Sequence, residues 1–135
     1  MLAAAPGHRR HRCRTPDAVG PRGVPPDDPR TLATLRHVLD DLTSDGYAYR
    51  FQHGDRPLGE TEGAFLLCGF MVALAQHAAG REIEAFRWFE RNRAAAGSPG
   101  LFAEEFDVQQ RQLRGNRPKA FVHAMLLETS VVLGR

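Results

Sequence analysis

Apolar residues Leu32, Leu35, Val38, Leu39 and Leu42 recur every three or four positions, the spacing of one face of an α-helix. Asp28 supplies a plausible N-cap, Pro29 suits the first helical position, and Asp45-Gly46 closes the element. The pattern then changes. Gly63-Ala-Phe-Leu-Leu-Cys-Gly-Phe-Met-Val-Ala-Leu-Ala75 is apolar nearly all round, so a second helix over residues 62 to 79 is expected to be buried on every side. Gly80 is its C-terminal stop. A third helix, over residues 82 to 96, returns to one stripe of Ile83, Phe86 and Phe89 among arginines and glutamates. Pro118 opens a fourth, whose run Ala120-Phe-Val-His-Ala-Met-Leu-Leu127 is again nearly all apolar.

The order is therefore exposed helix, buried helix, exposed helix, buried helix. Amphipathic outer helices around apolar inner ones predict an all-α fold, a partial αα-toroid. Its geometry requires both outer-to-inner connections to open at one end of the array, with the tight turn at Gly80 at the other. The first connection, from Gly46-Tyr-Ala-Tyr-Arg-Phe51 to Thr61, sets Arg50 between aromatics, where it is either a surface stack or a binder of hydroxyls. The second holds Leu101-Phe-Ala-Glu-Glu-Phe-Asp107 behind the break Gly97-Ser-Pro-Gly100, which predicts a loop or the mouth of a helix. Residues 109 to 115 read as polar and turn-like.

Composition narrows this picture little. The chain has 135 residues, enough for one modest core, with 42% hydrophobic and 25% charged residues and a net charge of +2. The charge is uneven: Arg9, Arg10, Arg12 and Arg14 crowd the start with His8 and His11. Residues 1 to 26 lack apolar periodicity and are expected to be a disordered, solvated leader rather than a nucleic-acid-binding arm. Cys13 and Cys68 suit neither a disulfide framework nor a metal site, and His37, His53 and His77 show no ligand spacing. No cofactor and no metal are expected. No window has the ~18 apolar residues of a membrane span, and no apolar run follows the leader arginines, so the default is a cytoplasmic protein without membrane partners.

Glu104 and Glu105 lie between Phe102 and Phe106, with Asp107 next. Neighbouring residues point in different directions, so one glutamate can face a pocket while the other anchors the backbone. Such a set is either a solvated acidic loop or a sugar-cleaving site, in which rings stack on the pyranose and a glutamate moves a proton. His123, on an apolar helix, reads as a satisfied core histidine, and Cys68 as a small buried hydrophobe.

Five motifs decide between the two. Pro25-Pro-Asp-Asp-Pro-Arg30, Tyr49-Arg-Phe51, Gly59-Glu-Thr-Glu-Gly-Ala-Phe-Leu-Leu-Cys68, Ala103-Glu-Glu-Phe-Asp107 and Gly115-Asn-Arg-Pro-Lys-Ala-Phe-Val-His123 occur in one order and spacing. From about residue 25 to 133 the chain resembles the C-terminal end of glycoside hydrolase family 15, the glucoamylase-like and bacterial trehalase family. The resemblance implies an (α/α)6 barrel that hydrolyses terminal glucosyl bonds with inversion, using a general acid and a general base. It places the base on Glu104, an arginine that binds the non-reducing glucosyl unit on Arg50, and residues near the glucose pocket on Glu62 and Phe65. Phe106 and Phe121 match aromatic positions behind the base. The substrate it implies for the intact parent is a glucose-containing oligosaccharide or disaccharide.

The departures are as informative. The family's general acid belongs to an upstream Trp-Glu segment that nothing here matches. Trp88-Phe-Glu90 imitates it, but on an outer helix, so Glu90 is expected to be a solvated acid. About four of twelve barrel helices are represented, which predicts a C-terminal fragment inactive alone. The Arg-Pro-Gly leader stands where an apolar helix is expected and reads as an out-of-frame or mis-started translation. Lys119 and Val122 replace a usual Gln and Ser. The alternative is a non-catalytic helical-repeat module that binds a protein partner.

Overall fold

The computed structural model describes residues 24 to 134. The arginine-rich run and Cys13 therefore lie outside the described residues. Four helices are present: α1 (Pro29–Leu42), α2 (Leu66–Ala78), α3 (Glu82–Arg93) and α4 (Ala120–Leu133). Between them run five short strands: β1 (Thr43–Ser44), β2 (Tyr47–Ala48), β3 (Ala64–Phe65), β4 (Glu105–Asp107) and β5 (Gln112–Arg114).

α1 starts as its capping residues predict. Asp28 accepts from the Arg30 backbone N–H at 2.8 Å and Pro29 takes the first helical position. Hydrogen bonds from the Arg30 side chain and backbone hold the Asp28 carboxyl below its ordinary range. Asp45 and Gly46, both at positive φ, do more than close the helix: they turn the chain back so that β2 pairs antiparallel with β1. α2 begins at Leu66, later than the apolar run, because residues 64 and 65 are spent as a strand.

The second connection differs most from expectation. Glu105–Asp107 is neither loop nor helix mouth, and residues 109 to 115 are not merely a turn. β4 is the centre of a three-stranded antiparallel sheet, β3-β4-β5. Asp107 shapes the hairpin by accepting from the N–H groups of Gln109 (3.0 Å) and Gln110 (2.9 Å), and it pairs with Arg114 at 2.6 Å. Because β3 belongs to the connection between α1 and α2 and β4 to the one between α3 and α4, the two connections are joined by backbone hydrogen bonds. The Gly80 turn (φ 75) closes the other end of α2.

The core is α2 packed on α3 and α4, with Phe70 meeting Phe89 (centroids 6.0 Å apart) and Phe102 (5.9 Å). On α3 the buried positions are Ala85, Trp88, Phe89 and Asn92. At about 100° per residue this face leaves Ile83 on the opposite side, and it is 69% exposed rather than part of a buried stripe. Glu90 is solvated and paired with Arg93. α4 departs further. It buries Val122, Thr129 and Leu133, yet Phe121, Leu127, Val131 and Val132 are exposed, Val131 by 80%. An apolar helix is thus covered on one side only. α2, by contrast, exposes none of its large apolar side chains.

Tyr47 and Tyr49 are buried under the first connection. Burial pushes both phenols up; Arg91 opposes this at Tyr47, while Asp107 and Asp45 reinforce it at Tyr49. The native chain therefore holds these protons to higher pH than the unfolded chain, whose tyrosines ionise near pH 10. Stability is unaffected below about pH 10 and falls as pH rises through the raised native values. Thermal unfolding of Tyr49→Phe should show a shallower alkaline decline than the parent chain. An unchanged decline would remove Tyr49 from this account.

Candidate active site at the joined connections

The site is built on the sheet that joins the two connections. Glu104 precedes β4. Its N–H donates to the Asn116 carbonyl (3.2 Å), and its carbonyl accepts from the Leu66 N–H (3.2 Å). The acid is thereby tied to the start of α2 and to the segment that leads into α4. Gly115, at φ 78, makes the sharp return that allows the Asn116 contact. Phe102 is fixed as well: its N–H donates to His123 Nε2 (3.2 Å) and its carbonyl accepts from the Lys119 N–H (2.9 Å). His123 is the satisfied histidine that its apolar surroundings predict.

Alternation along β4 separates neighbouring side chains. Glu105 and Phe106 leave opposite faces of the strand. Phe106 is 4% exposed and stacks on Tyr47 at 5.0 Å, so it supports the sheet from the core side. Glu105 lies on the other face. Its Oε2 accepts from the Gly63 N–H (3.1 Å) and its Oε1 is 4.0 Å from Arg50 Nη2. Gly63 is closely packed: a Cβ there would lie 3.1 Å from Glu105 Cβ and 3.0 Å from the Phe106 carbonyl oxygen, a tighter approach than most side chains make.

Arg50 sits at the centre of this face. Its guanidinium pairs with Glu62 and lies 4.8 Å from the ring centroid of Phe65 and 5.6 Å from that of Phe51. Desolvation opposes its charge. The hydrogen bond and field of Glu62, with the fields of Glu105 and Glu104, outweigh this and raise its pKa. Glu104 completes the group, with Oε1 3.2 Å from Lys119 Nζ. Three carboxylates therefore share two cations, each carboxylate fixed by a different partner.

Three residues named from the sequence, Arg50, Glu62 and Phe65, are thus brought together on the Glu105 face, and Glu104 stands immediately before β4 with its field reaching Arg50. Phe106 is behind it. Phe121, in the first turn of α4, is 68% exposed beside Lys119, with Nζ 5.8 Å from its ring centroid, and makes no wall of this group. Glu105 and Lys119 join the group without having been expected there. No local signal marked Glu105 for this face, because a three-residue strand gives too little alternation to read. Nothing local announces the Lys119 pairing, which spans the whole β4–β5 hairpin.

The arrangement offers a largely buried carboxylate, Glu104 at 24% exposure, whose field reaches a planar cation backed by an aromatic ring. A carboxylate can accept a proton, and a guanidinium fork can donate to vicinal hydroxyls. Both suit a polyol.

Comparison with known proteins gives this chemistry a family. The sequence profile of Glycosyl hydrolases family 15 matches residues 9–131. The match starts inside the arginine-rich stretch, earlier than the five motifs, which begin at about residue 25. The chain is 37% identical over 112 residues to the trehalase of Mycobacterium tuberculosis, covering 82% of this chain and 16% of that protein. It is 36% identical over 116 residues to the Mycolicibacterium smegmatis trehalase, covering 84% and 17%. Trehalase 1 of Sulfolobus acidocaldarius is 33% identical over 100 residues, with 74% and 18% covered. The chain thus spans less than a fifth of these relatives' length.

Among solved structures the fold is similar to a wild-type glycosidase, with TM-score 0.70 at 24% identity over 82% of this chain and 32% of that one. It is equally similar to a variant solved in complex with glucose, with TM-score 0.70 at 23% identity and the same coverage. No helix among the described residues is long and apolar enough to cross a membrane. With a profile match over most of its length and relatives above 30% identity, the chain belongs to glycosyl hydrolase family 15.

Proposed function

We propose that this chain is the general-base part of an inverting glucosyl hydrolase, with trehalose as its substrate. The observation that carries the reading is the gathering of Arg50, Glu62 and Phe65 on one face of the sheet that joins the two connections, with Glu104 held by Lys119 immediately before the central strand of that sheet. Glu104 takes the proton of the attacking water. Arg50, stacked on Phe65 and braced by Glu62, donates to hydroxyls of the glucosyl unit. Phe106 holds the sheet from behind, and Phe121 faces a part of the pocket supplied from elsewhere. Trehalose is favoured over glucans because each of the three relatives above is a trehalase.

The general acid is assigned to a part of the barrel outside this chain. An inverting pair needs its carboxyls roughly 6.5–9.5 Å apart, with water between. The four helices are read as part of an (α/α)6 toroid, with α4 as an inner helix. Its uncovered row, Phe121, Leu127, Val131 and Val132, suits a helix whose remaining neighbours lie outside the described residues. The chain by itself is then inactive, because a base without an acid leaves the departing sugar unprotonated.

The test supplies the whole 135-residue chain in trans to M. smegmatis trehalase lacking the segment this chain matches. Trehalose hydrolysis should be restored, with neither component active alone. Freshly released sugar, followed by NMR, should be one β- and one α-glucose, because inversion changes only the attacked carbon. Two α-glucose molecules would contradict a water-activating Glu104. Failure to restore hydrolysis would favour the helical interaction module, for which the uncovered α4 row also speaks.

A further inference from the structure

Glu104 is held differently from its two acidic neighbours. Glu62 is engaged by Arg50, and Glu105 by the Gly63 N–H with Arg50 close by. Glu104 alone of the three has an ammonium as its partner, with Lys119 Nζ 3.2 Å from Oε1. Both side chains are about three-quarters buried, at 23% and 24% exposure, so water screens the pair less than it would on an open surface.

The lysine is well placed to fix the acid. Its N–H is bonded to the Phe102 carbonyl (2.9 Å), and its own carbonyl receives the N–H groups of Val122 (3.1 Å) and His123 (3.3 Å). Its backbone is therefore anchored both to the segment carrying Glu104 and to the first turn of α4. The contact engages one carboxylate oxygen. The other, Oε2, lies towards Gly115, where a Cβ would come within 3.6 Å of it. A glycine there leaves that oxygen uncrowded.

The charges around the pair define what removal of the lysine would do. Glu104, Glu105 and Glu62 all act on Arg50. With Lys119 present, three negative charges face two positive ones. Without it, Arg50 is the one cation remaining in the group, and the Glu104 carboxylate is drawn towards it.

We infer that Lys119 is a positioning residue for Glu104: its ammonium holds Oε1 away from Arg50 and leaves Oε2 to take the proton from water. This rests on Glu104 being the general base. Lys119 itself transfers no proton and needs no contact with the sugar. The effect expected of its loss is therefore on turnover rather than on substrate affinity.

The experiment uses the reconstituted enzyme with trehalose, comparing Lys119→Met, Lys119→Arg, Glu104→Gln and the double variant Lys119→Met/Glu104→Gln. A displacement of ~1 Å at a catalytic group can cost about a hundredfold, so Lys119→Met should lower kcat by about ten- to a hundredfold with KM within about twofold. Lys119→Arg keeps the charge and should recover most of kcat. In the Glu104→Gln background, Lys119→Met should cause no further loss, because a positioning residue has nothing left to position. Should Lys119→Met fail to fold, Lys119→Gln gives the same kcat-against-KM reading without the charge. If Glu104→Gln is inactive but Lys119→Met keeps full kcat, or lowers it equally in both backgrounds, the positioning role is wrong and the base stands. If Glu104→Gln retains activity, the base assignment fails first and Lys119 with it.

Discussion

In the reconstituted enzyme, Glu104→Gln should lower kcat by about 10²–10⁴-fold while KM stays within about threefold. The amide matches the carboxylate in size, so the packing against the Asn116 and Leu66 backbone contacts persists. It cannot accept a proton from water, and it meets Lys119 as a neutral group. Sugar binding is assigned to Arg50 on the adjoining connection, which the substitution leaves in contact with Glu62 and Phe65. Loss should therefore fall on the chemical step alone. Glu90→Gln is the matched control: Glu90 follows Trp88-Phe89 in a segment that imitates an acid motif, yet it is solvated on α3 and paired with Arg93. Its kcat should equal that of the parent chain. A Glu104→Gln enzyme with raised KM and normal kcat would make Glu104 a binding group and leave the base to be found elsewhere.

How much of this was legible follows from the length of each signal. The four helices could be read because each repeats its pattern over several turns, and the start of α1 because Asp28 and Pro29 mark it chemically. The strands could not, since two or three residues give no measurable alternation, and the β3–β4 pairing joins residues about forty positions apart. That pairing is what brings Glu105 beside Arg50. α4 shows a different limit. An all-round apolar helix must be covered, but its composition is the same whether the cover comes from nearby or from elsewhere, and here Val131 and Leu127 are left exposed. The site residues became visible through ordered motifs rather than local physics, which by itself favoured a solvated acidic loop. Lys119 stood out only as a departure from the family pattern, and its role needed the distance to Glu104.

The largest stability effect expected is at Gly69, in the middle of α2. A Cβ built there would lie 1.9 Å from Asn92 Oδ1, 2.2 Å from Cγ and 2.5 Å from Nδ2. These separations are far inside van der Waals contact, so Gly69→Ala forces Asn92 or one of the helices to move. Asn92 has little freedom to do so. It is 1% exposed, and its Nδ2 donates to the Trp88 carbonyl (2.8 Å) and towards that of Gly46 (3.3 Å). Displacing it strains the α2–α3 contact and unties the Asp45-Gly46 turn on which β1–β2 depends. Overpacking of this kind costs about 1–3 kcal/mol, and leaving buried polar groups without partners about 1–3 kcal/mol more. A loss in the middle of the resulting range of about 2–6 kcal/mol would lower the unfolding midpoint of a chain this size by more than about 10 °C. Helix propensity acts in the opposite direction, since alanine is favoured over glycine within a helix by about 1 kcal/mol, so a fall in stability isolates the collision. The double variant Gly69→Ala/Asn92→Ala separates it further: with the amide gone, the added methyl has space, and the pair should be more stable than Gly69→Ala alone. If Gly69→Ala melts at or above the parent temperature, α2 and α3 are not packed as closely as these distances require, and the placement of the Gly46 turn would have to be revised with them.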